Sequence, residues 1–111
     1  MIYGPAAEDV LEETDPAAWD RFNALLQERG AWQGAEALRR ASLARTVRGQ
    51  DSRIVVTDGP FAETKEHLAG YYLVDCNGWD EALELASMIP SVATGHASIE
   101  VRPILATATD L

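Results

Sequence analysis

Apolar residues recur at helical spacing in the first third of the chain. They are Trp19, Phe22, Leu25 and Leu26, which would share one face of a helix. Asp15 followed by Pro16 is typical of a helix start, with Asp as the N-cap and Pro at the first helical position. Gly30 is a suitable residue just beyond the C-terminal end. The pattern therefore predicts a helix over residues 16–29 that buries one side.

A second apolar stripe predicts another helix near the C-terminal end. It consists of Trp79, Ala82, Leu83, Ala86 and Ile89. Asn77 is the expected N-cap, and Pro90 is expected to close the helix because proline cannot donate the backbone hydrogen bond that a helix interior needs.

Short apolar or alternating segments predict β-strands at residues 1–5, 43–48, 53–57, 70–76 and 98–104. In the last segment Ile99 and Val101 should face one way and Arg102 the other. Although the pattern marks five strand segments, we interpret the order as β-α-β-β-α-β in one domain over residues 1–111, the ferredoxin-like α+β arrangement with two helices on one face of an antiparallel sheet. The opposite face mixes apolar and polar residues. We therefore expect a homodimer in which two sheets enclose a partly polar cavity.

Charge and composition narrow the functional classes. The 111 residues carry a formal net charge of −9, which disfavours direct contact with nucleic acid or anionic membranes. The chain has no apolar run long enough for a membrane span and no recognisable signal peptide. One cysteine, Cys76, allows no internal disulfide and no zinc site by itself, so we expect a cytoplasmic protein without a metal or other cofactor.

One loop segment is more specific than the rest of the sequence. It reads Asp58-Gly59-Pro60-Phe61-Ala62-Glu63-Thr64-Lys65-Glu66 and is followed by Leu68-Ala69-Gly70-Tyr71-Tyr72-Leu73. Asp, Gly and Pro each favour a turn for a different physical reason. The whole string closely resembles the DGPF-domain branch of the YCII-related family. Weaker similarity extends over residues 80–84, 89–90 and 99–103.

The resemblance implies a dimeric α/β barrel, which agrees with the predicted sheet. Relatives in the wider dimeric-barrel group act on lactones, and DGPF-type proteins are often associated with extracytoplasmic-function sigma factors. The sequence departs from the family at two points. Only Met1 and Ile2 stand where relatives have a longer apolar first strand. No histidine precedes His67, so a His–Asp dyad proposed for some relatives cannot be transferred.

Asp58 is the candidate acid or base, at a strand end beside the expected cavity. Its carboxylate could equally accept backbone N–H bonds and cap the loop. Lys65 could reach over the pocket to attract an anionic ligand while Glu63 fixes the loop, or these charges could form a surface ion pair.

Arg102 and the strand tyrosines are the candidate ligand contacts. Arg102 could bind a carboxylate through two parallel hydrogen bonds, or Glu100, two residues away on the same strand face, could neutralise it. Tyr71 and Tyr72 should face opposite sides, so one of them would line the cavity, and Tyr72 is the candidate. His67 and His96 are expected to be solvated.

Two main hypotheses follow. The first is a protein that binds a small, anionic molecule and acts on it, as a lactone-type enzyme would. The second is a non-catalytic accessory of sigma-factor-linked transcription that acts through protein contacts. A third possibility is a dimerisation scaffold whose cavity is filled by side chains.

Overall fold

The computed structural model describes residues 1–61 and 65–106. In chain order the elements are β1 (Ile2–Gly4), α1 (Ala7–Glu13), α2 (Pro16–Glu28), β2 (Trp32–Ala37), a 3-10 turn (Ala41–Leu43), β3 (Arg45–Gln50), β4 (Arg53–Asp58), β5 (His67–Val74), α3 (Trp79–Ser87), α4 (Pro90–Ala93) and β6 (Ser98–Ile99). Among these described elements, no helix has both the length and the apolar character that crossing a bilayer requires.

Four strands form the main sheet in the order β2-β5-β1-β6, and every neighbouring pair is antiparallel. Helix α2 links β1 to β2, and α3 links β5 to β6. This α+β architecture is ferredoxin-like and confirms the predicted fold class. Strands β3 and β4 form a separate two-stranded hairpin inserted between β2 and β5.

The predicted position of the hairpin was wrong. The segments at 43–48 and 53–57 are strands, but the second strand of the main sheet is β2, which pattern analysis missed. Its sequence Trp-Gln-Gly-Ala-Glu-Ala has few β-branched residues and a register irregularity between Trp32 and Gly34. Pairing with β5 holds it in the sheet despite this weak intrinsic preference.

One further helix was missed, and three helix or strand boundaries differ from the prediction. Helix α1 was missed because its sequence, Ala-Glu-Asp-Val-Leu-Glu-Glu, looks like an acidic surface run. The residue that precedes α3 as its N-cap is Gly78, at φ 133°, and not Asn77. Pro90 begins α4 rather than ending α3. The last strand covers only Ser98–Ile99, although a hydrogen bond from the Glu100 N–H to the Met1 carbonyl extends the pairing.

Helix α2 forms as predicted and supplies much of the core. The Asp15 carboxylate accepts a hydrogen bond from the Ala17 N–H at 3.0 Å, and Pro16 takes the first helical position. The buried core cluster consists of Phe22, Leu26, Ala31, Leu85 and Ile89. Ile2, Trp32, Tyr72, Val74 and Ile99 pack against it from the sheet. Both helices therefore cover the same sheet face.

Candidate functional site

A cleft of about 280 Å³ lies on the helix-covered side of the sheet. Its walls come from α1, α2, β2, β5 and the start of α4, and we refer to it as the cleft. Val10 and Leu11 of α1 line one side, and Ala35 of β2 lies on the other. Its volume is near the lower end of the range typical of small-molecule sites.

The main polar feature of the cleft is a hydrogen bond between a strand and a helix. Tyr72 Oη donates to Asn23 Oδ1 at 2.7 Å, and both residues line the cleft. The Tyr72 ring lies edge-on to Phe22, with ring centroids 5.2 Å apart. Burial raises the pKa of the Tyr72 hydroxyl to about 12, so this group stays neutral and able to donate at physiological pH.

Two tryptophans give the cleft a flat apolar lining. Trp32 stands edge-on to Tyr72, with ring centroids 6.1 Å apart. Trp19 donates its indole N–H to Thr14 Oγ1 at 2.9 Å. Because that hydrogen bond satisfies the indole N–H, the remaining surface of the Trp19 ring is apolar.

Ser91 adds a second polar group to the lining, on α4. Its side chain is 1% exposed, and its Oγ makes no hydrogen bond within the described chain. A buried hydroxyl without a partner is unfavourable, typically by about 1–3 kcal/mol.

Ion pairs hold α1 beside the cleft. Glu8 accepts hydrogen bonds from Arg39 Nε and from the Arg40 backbone N–H, both at 2.9 Å, and from the Arg40 guanidinium. The backbone hydrogen bond from Arg40, followed by the side-chain bond from Arg39, lowers the pKa of Glu8 to about 2. At the other end of α1, Glu13 Oε2 lies 2.9 Å from His96 Nε2. His96 is therefore partly buried and paired, which differs from the solvated position that we predicted.

A second cavity of about 680 Å³, the groove, lies between the end of β5, α3 and residues 100–104. Met1, which precedes β1, lines the groove, and its ammonium group donates to the Glu100 carbonyl at 2.9 Å. Burial of this ammonium lowers its pKa, although the Glu100 carboxylate acts in the opposite sense.

Arg102 lines the groove but is already paired. Its Nη2 donates to Glu100 Oε2 at 2.7 Å, and both side chains are well exposed. The structure therefore shows the second arrangement considered above, in which Glu100 neutralises Arg102. An anionic ligand would have to compete with Glu100 for the guanidinium.

The described residues of the loop that begins at Asp58 lie away from both cavities. The Asp58 side chain, at the end of β4, is 95% exposed, and its nearest cation is Arg45 Nε at 3.8 Å. Lys65 is exposed, and neither residue lines the cleft or the groove. Glu63 lies outside the described residues. The roles assigned to these three side chains stay predictions.

Of the five candidates, Tyr72 and Arg102 share one cavity, the groove. Tyr72 also lines the cleft, because it lies on the helix-covered face rather than on the open face that a sheet-to-sheet cavity would use. Sequence reasoning missed Asn23 and Ser91. Asn23 follows Phe22 on α2 and could have been found by asking which polar residue lies at the edge of the apolar stripe. Nothing in the sequence marks Ser91.

Metal chemistry receives no support from the described part of the chain, where no group of three or more His, Cys, Asp or Glu side chains could hold an ion. The cleft instead combines aromatic surfaces with the uncharged hydrogen-bonding groups of Tyr72 and Asn23, and Glu36 is the acidic residue on its lining. Such a lining can bind and orient a small organic molecule.

Comparison with known proteins agrees with the predicted resemblance to the YCII-related family. A 61-residue region is 48% identical to an uncharacterised protein of Rhizobium meliloti (strain 1021). It covers 55% of this chain and 49% of the relative, so the match spans about half the length of that protein. The model of the YCII-related domain matches residues 1–105. The chain belongs to the YCII-related domain family.

Proposed function

We propose that this protein is a homodimer that binds a small organic molecule in the cleft of each subunit. The observation that carries the proposal is the Tyr72–Asn23 hydrogen bond, which places two uncharged polar groups within a mostly apolar lining. A few polar groups in an apolar cavity are what fix the orientation of a ligand in most small-molecule sites.

The proposed dimer rests on the β3–β4 hairpin. Val47, Ile54 and Val56 occupy one face of it and are 64%, 75% and 58% exposed. A two-stranded hairpin is marginally stable alone, and exposed apolar side chains on one face favour packing against another surface. The open side of the main sheet also exposes Leu73, at 42%. A second copy of the chain would cover both surfaces, as the family resemblance implies.

Catalysis on a lactone-type substrate is a second step of the proposal, beyond ligand binding. Asp58 lines neither cavity of its own chain, so a role for it as acid or base requires that the hairpin of one subunit reach the cleft of its partner. Arg102 would anchor an anionic group only after release from Glu100. The positions of these side chains therefore support ligand binding in the cleft more strongly than catalysis.

A cleft-filling variant tests small-molecule binding directly. Ala35→Leu adds three carbon atoms to the cleft lining, whereas Ala24→Leu adds the same atoms to an exposed position on α2. In a thermal-shift screen of neutral and charged fragments, a ligand at about ten times its Kd should stabilise the wild type by about 1.4 kcal/mol. That corresponds to a rise in Tm of about 5 °C.

We expect the hits to persist in Ala24→Leu and to disappear in Ala35→Leu, each variant being compared with its own unliganded Tm. Hits that survive in both variants would place binding elsewhere. A screen without hits on the folded protein would count against the proposal.

The second candidate function, contact with a basic protein such as a sigma factor, draws on the net charge of −9 and on the acidic helix α1. Glu12 is exposed on α1. Under this alternative, Glu12→Lys would weaken capture of the partner protein and leave fragment binding unchanged.

A further inference from the structure

We infer that the cleft selects an uncharged molecule with a carbonyl oxygen and a flat apolar body. This inference rests on the proposed function, because it names the class of ligand for the same site. It departs from the anionic ligand that we expected from the sequence.

The lining of the cleft lacks a group that would compensate a negative charge. Among the described residues that line it, none is Lys, Arg or His. Arg39 and Arg40 follow β2 in sequence, but Glu8 engages both. Moving a carboxylate from water into such surroundings is strongly unfavourable without a paired cation. The one acidic residue on the lining, Glu36, is exposed. It would further disfavour an anion, and because water screens its carboxylate it would compensate the desolvation of a cation only weakly.

The side-chain amide of Asn23 is the group that would bind the ligand's carbonyl oxygen. Its Oδ1 accepts the hydrogen bond from Tyr72, which fixes the orientation of the amide. Within the described chain, its Nδ2 group donates to no protein acceptor and so retains two N–H donors. The Tyr72 oxygen can still accept a hydrogen bond while it donates to Asn23. A ligand carbonyl would therefore meet Asn23 N–H, and an adjacent ligand N–H or O–H would meet Tyr72 Oη.

The aromatic lining sets the shape of the rest of the ligand. Trp19 and Trp32 both line the cleft, and the indole N–H of Trp19 is already satisfied by Thr14. Aromatic faces of this kind favour stacked or edge-on contact with a planar ring. Ser91, whose buried Oγ has no partner in the described chain, favours a ligand that carries a second polar atom toward α4.

Three probes with one skeleton separate the possible charges of the ligand. Benzamide is neutral and carries a carbonyl next to an NH₂ group, benzoate is its anionic counterpart, and benzamidine is the cationic one. The readout is the indole N–H signal of each tryptophan in a ¹H–¹⁵N NMR titration. Trp19 and Trp32 line the cleft, and Trp79 lines the groove, so the third signal is an internal control.

We expect benzamide to shift the Trp19 and Trp32 signals, to leave Trp79 unchanged, and to bind at least tenfold more tightly than the charged probes. Asn23→Asp keeps the acceptor for Tyr72 but removes both N–H donors, and it should weaken benzamide binding at least tenfold. Ala24→Asp adds the same charge to the exposed neighbouring position and should leave binding unchanged.

The outcomes distinguish this inference from the proposed function. Equal or tighter binding of benzoate or benzamidine, with shifts at Trp19 and Trp32, would overturn the ligand class and leave small-molecule binding in the cleft intact. An Asn23→Asp variant that binds benzamide as the wild type does would overturn the role of the amide. If no probe shifts either signal, the inference is overturned, and the fragment screen then decides separately whether the cleft binds other molecules.

Discussion

The Tyr72 hydroxyl donates a 2.7 Å hydrogen bond to the Asn23 side-chain carbonyl and so links the middle of β5 to α2. The same pair contributes the central polar groups of the cleft. One interaction therefore supports the packing of a helix on the sheet and also orients the amide that would meet a ligand.

Tyr72→Phe should lower the free energy of unfolding by about 1–2 kcal/mol, because it leaves the partly buried Asn23 carbonyl without its donor. Urea unfolding followed by circular dichroism would measure the change. Tyr3→Phe is the matched control, since the Tyr3 hydroxyl makes only a 3.9 Å contact with the Met1 sulfur. Equal losses in the two variants would contradict a specific contribution from the Tyr72–Asn23 bond.

The hydrogen bonds to Glu8 predict a stabilising effect that is lost in acid. The folded-state pKa of Glu8 is lowered from 4.5 to about 2, so its contribution is fully present above pH 4.5 and is lost as pH falls toward 2. The difference in stability between wild type and Glu8→Gln should therefore be constant from pH 7 to about pH 5 and shrink below that. Glu12→Gln, at an exposed position on the same helix, is the matched control. A Glu8→Gln difference that stays constant down to pH 2 would contradict the assignment.

Val56→Lys should convert the proposed dimer to a monomer, because it places a charge on the apolar face of the hairpin. Sedimentation equilibrium would give the molecular mass of each form. Thr57→Lys places the same charge on the opposite hairpin face and should leave the dimer intact. A monomeric wild type, or dissociation by both variants alike, would contradict the proposed interface.

Gly70→Ala should destabilise the fold by about 1–3 kcal/mol through steric overlap. A Cβ at this position would lie 2.7 Å from the Glu36 carbonyl oxygen, so β2 would have to move away from β5 and change the wall of the cleft. Gly34→Ala is the control, because a Cβ there meets no atom within 4 Å. Thermal unfolding of both variants measures the effect, and similar Tm values would argue against the close strand approach.

The sequence predicted those elements whose own residues are enough to determine their structure. Asp15 and Pro16 fix the start of α2, and the spacing of Phe22 and Leu26 fixes its buried face. Strand β2 escaped prediction because Gly34, Ala35 and Ala37 carry little β preference, and its place depends on pairing with β5.

The candidate site was predicted less well than the fold for a similar reason. Asp58 was chosen from its loop motif, yet it lies at the exposed end of the hairpin. Asn23 and Ser91 meet at the cleft only after α2 and α4 pack against the sheet, and no local pattern encodes that proximity.

A structure from crystals soaked with benzamide most directly tests the central claim, that the cleft is the ligand site. We predict that the benzamide carbonyl lies about 3 Å from Asn23 Nδ2, with its ring between Trp19 and Trp32. Benzamide bound instead in the groove beside Arg102, or on the β3–β4 hairpin, would contradict the assignment of the cleft as the ligand site.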